Sequence, residues 1–509
     1  MNMSSKRYDR RAVLALVCWS LLGASCTDSS RLRYALEQAG ENRGELEKVL
    51  EHYRDSGRKY EAARFLVENL PWHFAVADSL VAPSGSRCYP DIARIGGKEA
   101  VERHFDSLYA AGYRRESRHE WDVRRLGADY LIRQVDLAFA VWEKPWARSV
   151  EFDDFCRYVL PYRSLHEPPS QLRQTLMERF VPQLEAAGVK TPMEACNLLN
   201  ELLGKEITYA DAGSPLAATA EETARAGRGT CEALCNYTVL AMRAAGIPVA
   251  VQQTVWTRMN LGHVWAAVLS EGKWADFSPG SVNADEYSEQ LYSRWYLQPA
   301  KVYRHQFEPS AGRRGTADDG YVTWLKSPLL QDVTEEGGAE TFRLQVPLTE
   351  GAGAVEGRPL YLCAFNYYRW TPLAVGEADG SGNAVFPKVG GRNFLIVAEA
   401  DGRESLRWVS VPFCTDGKGG IRLLPAVKDR PVRYTFRRTG CSRPDRLDYW
   451  DGRLRRFVPV EPEEVTDTTQ TYGCIPGQAL LFYRSDSVSL ASRVGIIDTN
   501  GVYKNSGTW

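Results

Sequence analysis

The helical period that organises the first part of the chain stops near residue 296. From Thr341 onward the pattern is all β instead: FRLQV, PLYLCAF, NAVFPKV, NFLIVAEA and WVSVPF, with Gly, Asp and Pro between them at short spacing. Short apolar runs bounded by such turn residues read as strands. Asp379-Gly380 and Asp401-Gly402 favour tight hairpin turns. The chain therefore cannot be one uniform fold. A β-sandwich is expected over 341–437 and a further β-rich region, with the strand ALLFY, over 438–509. The segment 301–340, rich in Gly, Asp, Glu and Arg, reads as a linker. The 509 residues leave room for roughly three or four domains.

Before the change of texture the pattern is mostly helical. Leu32, Ala35, Leu36 and Ala39 form one stripe, stopped by Gly40. Leu46, Val49, Leu50 and Tyr53 form a second, stopped near Gly57. Tyr60, Ala63, Leu66 and Val67 form a third, ended by Pro71. Residues 72–150 are mixed, with helices expected around Lys98–Ala110 and Tyr130–Trp142. We read 27–150 as a helical N-terminal region. Residues 151–205 and 215–245 are helical in pattern, and 248–278 hold the first clear strands. The charged run Asp122–Arg125 reads as a solvated face.

The N-terminus reads as an address. Lys6, Arg7, Arg10 and Arg11 precede the apolar stretch Ala12–Ala24, which is too short to span a bilayer. Small residues follow, then Cys26 and the polar run TDSS. A lipoprotein-type signal over 1–25 is expected, with Cys26 lipidated and the protein exported to a bacterial cell envelope, periplasmic or outer-membrane. Lys plus Arg is 63 and Asp plus Glu 64, a formal net charge of -1. That balance excludes a basic nucleic-acid footprint. Nine cysteines follow Cys26 at irregular spacing, which is no disulfide framework.

The window Gly227–Gly280 carries the chemistry. Gly-Arg-Gly-Thr precedes Cys231, and a helical run follows to Ala245. A cysteine at a helix N-terminus meets unsatisfied N–H groups and the positive end of the dipole, which lower a thiol pKa. The same N–H groups are natural donors to an oxyanion. His263 opens the alternating strand HVWAAVL, and KWADF, with Asp276, follows the Glu271-Gly272 turn. Cys231, His263 and Asp276 thus read as nucleophile, base and orienter. Cys235, one turn along, reads as core. The sequence has no H-E-x-x-H, P-loop or Gly-x-Ser-x-Gly motif, and no metal or cofactor is implied.

These residues resemble the transglutaminase-like superfamily, of papain-like fold. The carrying motifs are Gly229-Thr230-Cys231, Arg243-Ala244-Ala245-Gly246-Ile247-Pro248, Gly262-His263-Val264-Trp265 and Trp274-Ala275-Asp276-Phe277. The wider layout is similar to multidomain lipoproteins of gut-type Bacteroidetes. The resemblance implies a multidomain α+β chain with a transglutaminase-like core over 151–300. It also implies a cysteine enzyme forming a thioester on peptide or carboxamide substrates, with hydrolysis favoured over transamidation. In the common family pattern an Asp-Pro follows Trp by four residues. Here Ser278-Pro279 stands there and Asp276 comes two early, so Ser278 and Asp285 are substitutes for the orienter. Cell-wall peptide is one substrate class consistent with this reading. A second reading is a degenerate scaffold whose β domains bind glycan or protein, motivated by Asn366-Tyr367-Tyr368-Arg369-Trp370.

Overall fold

The computed structural model describes residues 30–211, 213–258, 261–293, 299–310, 323–349, 358–366, 369–401, 405–425, 427–438, 446–477, 480–484 and 494–505. Cys26 and the expected signal segment lie outside them, as do Tyr367 and Tyr368. The chain is a multidomain α+β protein, helix-rich at first and strand-rich in its C-terminal part. It divides into two compact units. The first comprises residues 1–191, 210–229 and 240–248, and the second comprises 192–209, 230–239 and 249–509. No helix among the described residues is long and apolar enough to cross a membrane.

In the first unit, helices Arg43–His52 and Arg58–Asn69 pack on helix Ala128–Trp142. Leu46 and Val49, Leu66 and Val67, and Leu131 and Val135 are fully buried. Strands appear earlier than the sequence suggests. Phe74–Val81 pairs antiparallel with Arg87–Cys88 and Arg114–Trp121. The last reads RRESRHEW and shows almost no alternation, because as an edge strand most of its residues face solvent. Asp122 is also not solvated. Its buried carboxylate accepts from Arg163 Nη2 at 2.6 Å, Arg163 Nε at 2.7 Å and Tyr162 Oη at 2.6 Å. A buried carboxylate needs such partners to persist.

In the second unit an antiparallel sheet has the order β5-β4-β1-β2-β3. Here β1 is Val249–Val255, β2 is Gly262–Ser270, β3 is Lys273–Phe277, β4 is Tyr303–His305 and β5 is Leu330–Asp332. The expected linker therefore supplies two strands of this sheet. Three-residue strands flanked by charge and Gly leave no period to read. Three helices matter for the site: α1, Pro192–Gly204, which packs on β2; α2, Cys231–Ala244; and α3, Tyr287–Ser293.

The strand-rich part follows. Strand Leu360–Asn366 is buried throughout, central to a sheet that runs from Thr341–Pro347 to Ile421–Leu423. Leu360, Leu362 and Ala364 enter one apolar cluster, and Tyr361, Cys363 and Phe365 enter another. This strand is covered on both sides, which is why it reads as a continuous apolar run. Val427–Arg437 pairs with Thr469–Gly477 in a separate sheet. Lys301 joins the sheet of Leu360–Asn366 to the one containing β1. Its buried ammonium donates to the carbonyls of Pro387 and Lys388, both at 3.0 Å, and pairs with Asp332.

Candidate active site

Cys231 is the first residue of α2. Thr230 precedes it, and its Oγ1 accepts from the Ala233 amide at 3.4 Å, fixing where the helix begins. The Cys231 thiol is half-buried. Three backbone N–H groups turn toward its sulfur: its own, that of Glu232, and that of Val264, the residue after His263. The structure thus brings Cys231 to β2 at the His263–Val264 peptide.

Burial nonetheless wins over those donors. It pushes the Cys231 thiol up from its ordinary value, against the three N–H groups, with nearby Glu232 adding to the rise. The sequence expectation of a lowered thiol pKa is therefore reversed. The physical reason is that desolvation of a thiolate outweighs a few oriented amides. Cys235 is fully buried, and burial pushes its thiol up still further. None of the eight described cysteines is in a disulfide.

His263 stands opposite Thr254 on β1. Two indoles lie nearly parallel to its ring, Trp256 at 5.8 Å and Trp265 at 5.5 Å between centroids. Burial lowers the imidazole to about 4. At neutral pH the pair is a neutral thiol and a neutral imidazole. Nε2 of His263 shares a 2.8 Å hydrogen bond with Tyr287 Oη. Tyr287 opens α3 and is itself buried. No sequence signal marks it, because it reaches the imidazole only through tertiary folding.

Asp276 is buried on β3, opposite Ala267. That is four residues along β2 from His263, about 13 Å at the rise of a strand. An even separation leaves both on the same face of the sheet. Asp276 is close enough for its charge to push the Tyr287 phenol upward, so it bears on the imidazole at one remove. Of the two substitutes, Ser278 is engaged through its backbone with Val282, and exposed Asp285 accepts from Asn197 Nδ2 at 3.3 Å.

Neighbouring segments hold the histidine and tyrosine in place. The loop after β1 carries Trp256, and Asn366 of the central sandwich strand donates to the Trp256 and Leu261 carbonyls at 2.7 and 3.0 Å. Arg258 donates to the carbonyls of Gly391 and Arg392, both at 2.9 Å. Asn200 of α1 grips the loop before α3. It donates to the carbonyls of Ser278 and Val282, both at 3.2 Å, and accepts from the Gly280 amide at 2.7 Å. Gly204, the last residue of α1, must be a glycine, because a Cβ there would lie 2.6 Å from the Gly280 carbonyl oxygen. Among the described residues, no group of three His, Cys, Asp or Glu is arranged to hold a metal ion.

Residues 181–279 match the family model of the transglutaminase-like superfamily, so this part of the chain is a transglutaminase-like core. Two solved structures are similar over parts of the chain. One is provisionally assigned as a cysteine protease, from Cytophaga hutchinsonii. It is 14% identical with a TM-score of 0.19, and the match covers 22% of this chain and 38% of that one. The other is red sea bream transglutaminase, 10% identical with a TM-score of 0.22, covering 62% of this chain and 70% of that one. No curated protein sequence matches the chain.

Proposed function

We propose that this protein is an exported cysteine enzyme that cleaves a carboxamide or peptide bond through a thioester on Cys231. The observation that carries the reading is the Cys231 sulfur at a helix start, faced by three backbone N–H groups and reached by the strand that bears His263. Sγ attacks the substrate carbonyl carbon as His263 takes the thiol proton. The backbone N–H groups at the start of α2 stabilise the oxyanion. The C–N bond then breaks, and the imidazolium returns its proton to the departing amine. Water, deprotonated by His263, attacks the thioester; the C–S bond breaks and the thiolate regains a proton. An amine in place of water would give transamidation, and the family resemblance favours water. Asp276 contributes a negative charge that stabilises the transient imidazolium from a distance.

Because both groups start neutral, proton transfer accompanies attack rather than preceding it. The test is amine or ammonia release from glutaminyl and cell-wall-type peptides, with and without a primary amine acceptor. Cys231→Ala and His263→Ala should each abolish release. Activity that survives both substitutions would end the reading.

The scaffold alternative draws less support. Its motivating cluster loses Asn366 and Trp370 as ligand contacts, because both are buried, the indole against Phe365, Trp408 and Phe457. Envelope anchoring rests on the sequence around Cys26. Labelled fatty acid should be incorporated into the wild-type protein and not into Cys26→Ala.

A further inference from the structure

We propose that Tyr287 is the positioning residue for His263, holding Nε2 so that Nδ1 is the atom that exchanges the proton with Cys231. The inference rests on the cysteine-enzyme reading and deepens it. The sequence assigns the orienting role to a carboxylate, Asp276. The geometry gives Nε2 to a phenol instead, 2.8 Å away.

Three observations make this contact a built feature. The Tyr287 ring is buried in an apolar cluster with Trp256, Trp265 and Leu291. Its backbone amide donates to the Asn283 carbonyl at 3.1 Å, and Asn283 is held by Glu201 at 2.9 Å and Asn200 at 3.3 Å. The imidazole lies nearly parallel to both the Trp256 and the Trp265 indole, which restricts tilting of its plane. Phenol and ring are thus each fixed from their own side.

The chemistry follows from the partner. For Nδ1 to accept a thiol proton it must be bare, so Nε2 carries the ring hydrogen and donates it to Tyr287 Oη. A carboxylate in that position would also favour the imidazolium and raise its pKa. A phenol, kept neutral by burial, fixes the same tautomer with far less of that stabilisation. The titratable and charged groups around this pair are Cys231, Glu232 and Cys235 on α2, Asp276 on β3 and Tyr287 on α3. Tyr287 thereby sets a general base that works from the neutral state.

The experiment uses the full chain labelled with ¹⁵N-histidine. Long-range ¹H–¹⁵N spectra at pH 7 should show His263 as the Nε2–H tautomer, identified by its loss in His263→Ala. Tyr287→Phe, which keeps the buried ring, should broaden or mix that signal. It should also lower kcat about tenfold with KM unchanged. An Nδ1–H tautomer in the wild-type protein overturns the proposal. So does a Tyr287→Phe variant with wild-type spectrum and kcat while His263→Ala is inactive, and in that case the cysteine-enzyme reading survives. If His263→Ala retains full activity, both fall together.

Discussion

Asn366, on the central strand of the sandwich, donates from Nδ2 to the backbone carbonyl of Trp256, 2.7 Å away. Trp256 covers one face of the His263 imidazole. A strand more than a hundred residues further along the chain therefore supports the candidate site. Asn366→Leu leaves the Trp256 and Leu261 carbonyls without this donor. It should cost about 2 kcal/mol in chemical unfolding, and activity should fall more than stability does. An Asn366→Leu variant with wild-type activity and stability would detach the sandwich from the site.

The thiol should be slow to react at neutral pH. Because burial raises the Cys231 pKa above the ordinary 9.0, its alkylation rate should still be climbing at pH 9, whereas exposed Cys474 reacts first. Mapping of iodoacetamide-labelled peptides across pH 6–10 checks this. A plateau for Cys231 below pH 8 would mean a preformed thiolate–imidazolium pair and would contradict the neutral-pair mechanism.

The histidine should also leave a signature in stability. Burial lowers its folded pKa from 6.5 to about 4. Between those values the unfolded chain holds a proton that the folded one lacks. Stability therefore rises with pH across that window, is fully gained above 6.5, and is flat in this contribution below 4. The contribution is at most about 3 kcal/mol, from the shift converted at 1.36 kcal/mol per unit. Unfolding free energies of wild type and His263→Ala should diverge with this slope between pH 4 and 6.5. Parallel pH curves would show that the imidazole titrates normally.

Asp276→Asn should lower kcat by less than tenfold. A carboxylate that directly holds a histidine tautomer is worth about 10⁴ in kcat. Asp276 faces Ala267 rather than His263, and its charge bears on Tyr287, the hydrogen-bond partner of the imidazole. A loss near 10⁴ would show that the strand register rearranges around bound substrate.

What the sequence made legible follows from range. Cys231 and His263 are readable because each is defined by its own neighbours: a glycine-flanked helix start, and the first residue of an alternating strand. The central strand Leu360–Asn366 is readable for the same reason. Tyr287 is invisible because nothing local distinguishes it from any tyrosine in a polar helix. Its role depends on α1 gripping the loop before it through Asn200. The strands Tyr303–His305 and Leu330–Asp332 were hidden by brevity, and Arg114–Trp121 by its solvent-facing edge. The register of Asp276 was beyond reach too, since chain spacing gives the face of a strand but not its partner.

The last motif separates recognition from catalysis. Arg243, in the run that carries the family resemblance, is a buried cation that serves backbone carbonyls. Its guanidinium donates to the carbonyls of Tyr158 at 3.1 Å and Arg163 at 2.5 Å, while Arg173 takes those of Val159 at 2.6 Å and Leu160 at 2.8 Å. The irregular segment 158–163 has carbonyls that no helix or sheet satisfies, and the two arginines satisfy them instead. The cost appears as a lowered pKa, about 9 for Arg243 and about 10 for Arg173, chiefly from burial. Gly246 completes the motif by taking φ +81°, past the end of α2. Arg243→Met should therefore destabilise the fold by about 2 kcal/mol through unpaired carbonyls. Arg243→Lys should rescue little, since an ammonium cannot span the fork. Residual activity per folded molecule should stay at the wild-type level in both variants, measured as kcat with the folded fraction taken from circular dichroism. A selective fall in kcat would instead place Arg243 within the catalytic machinery.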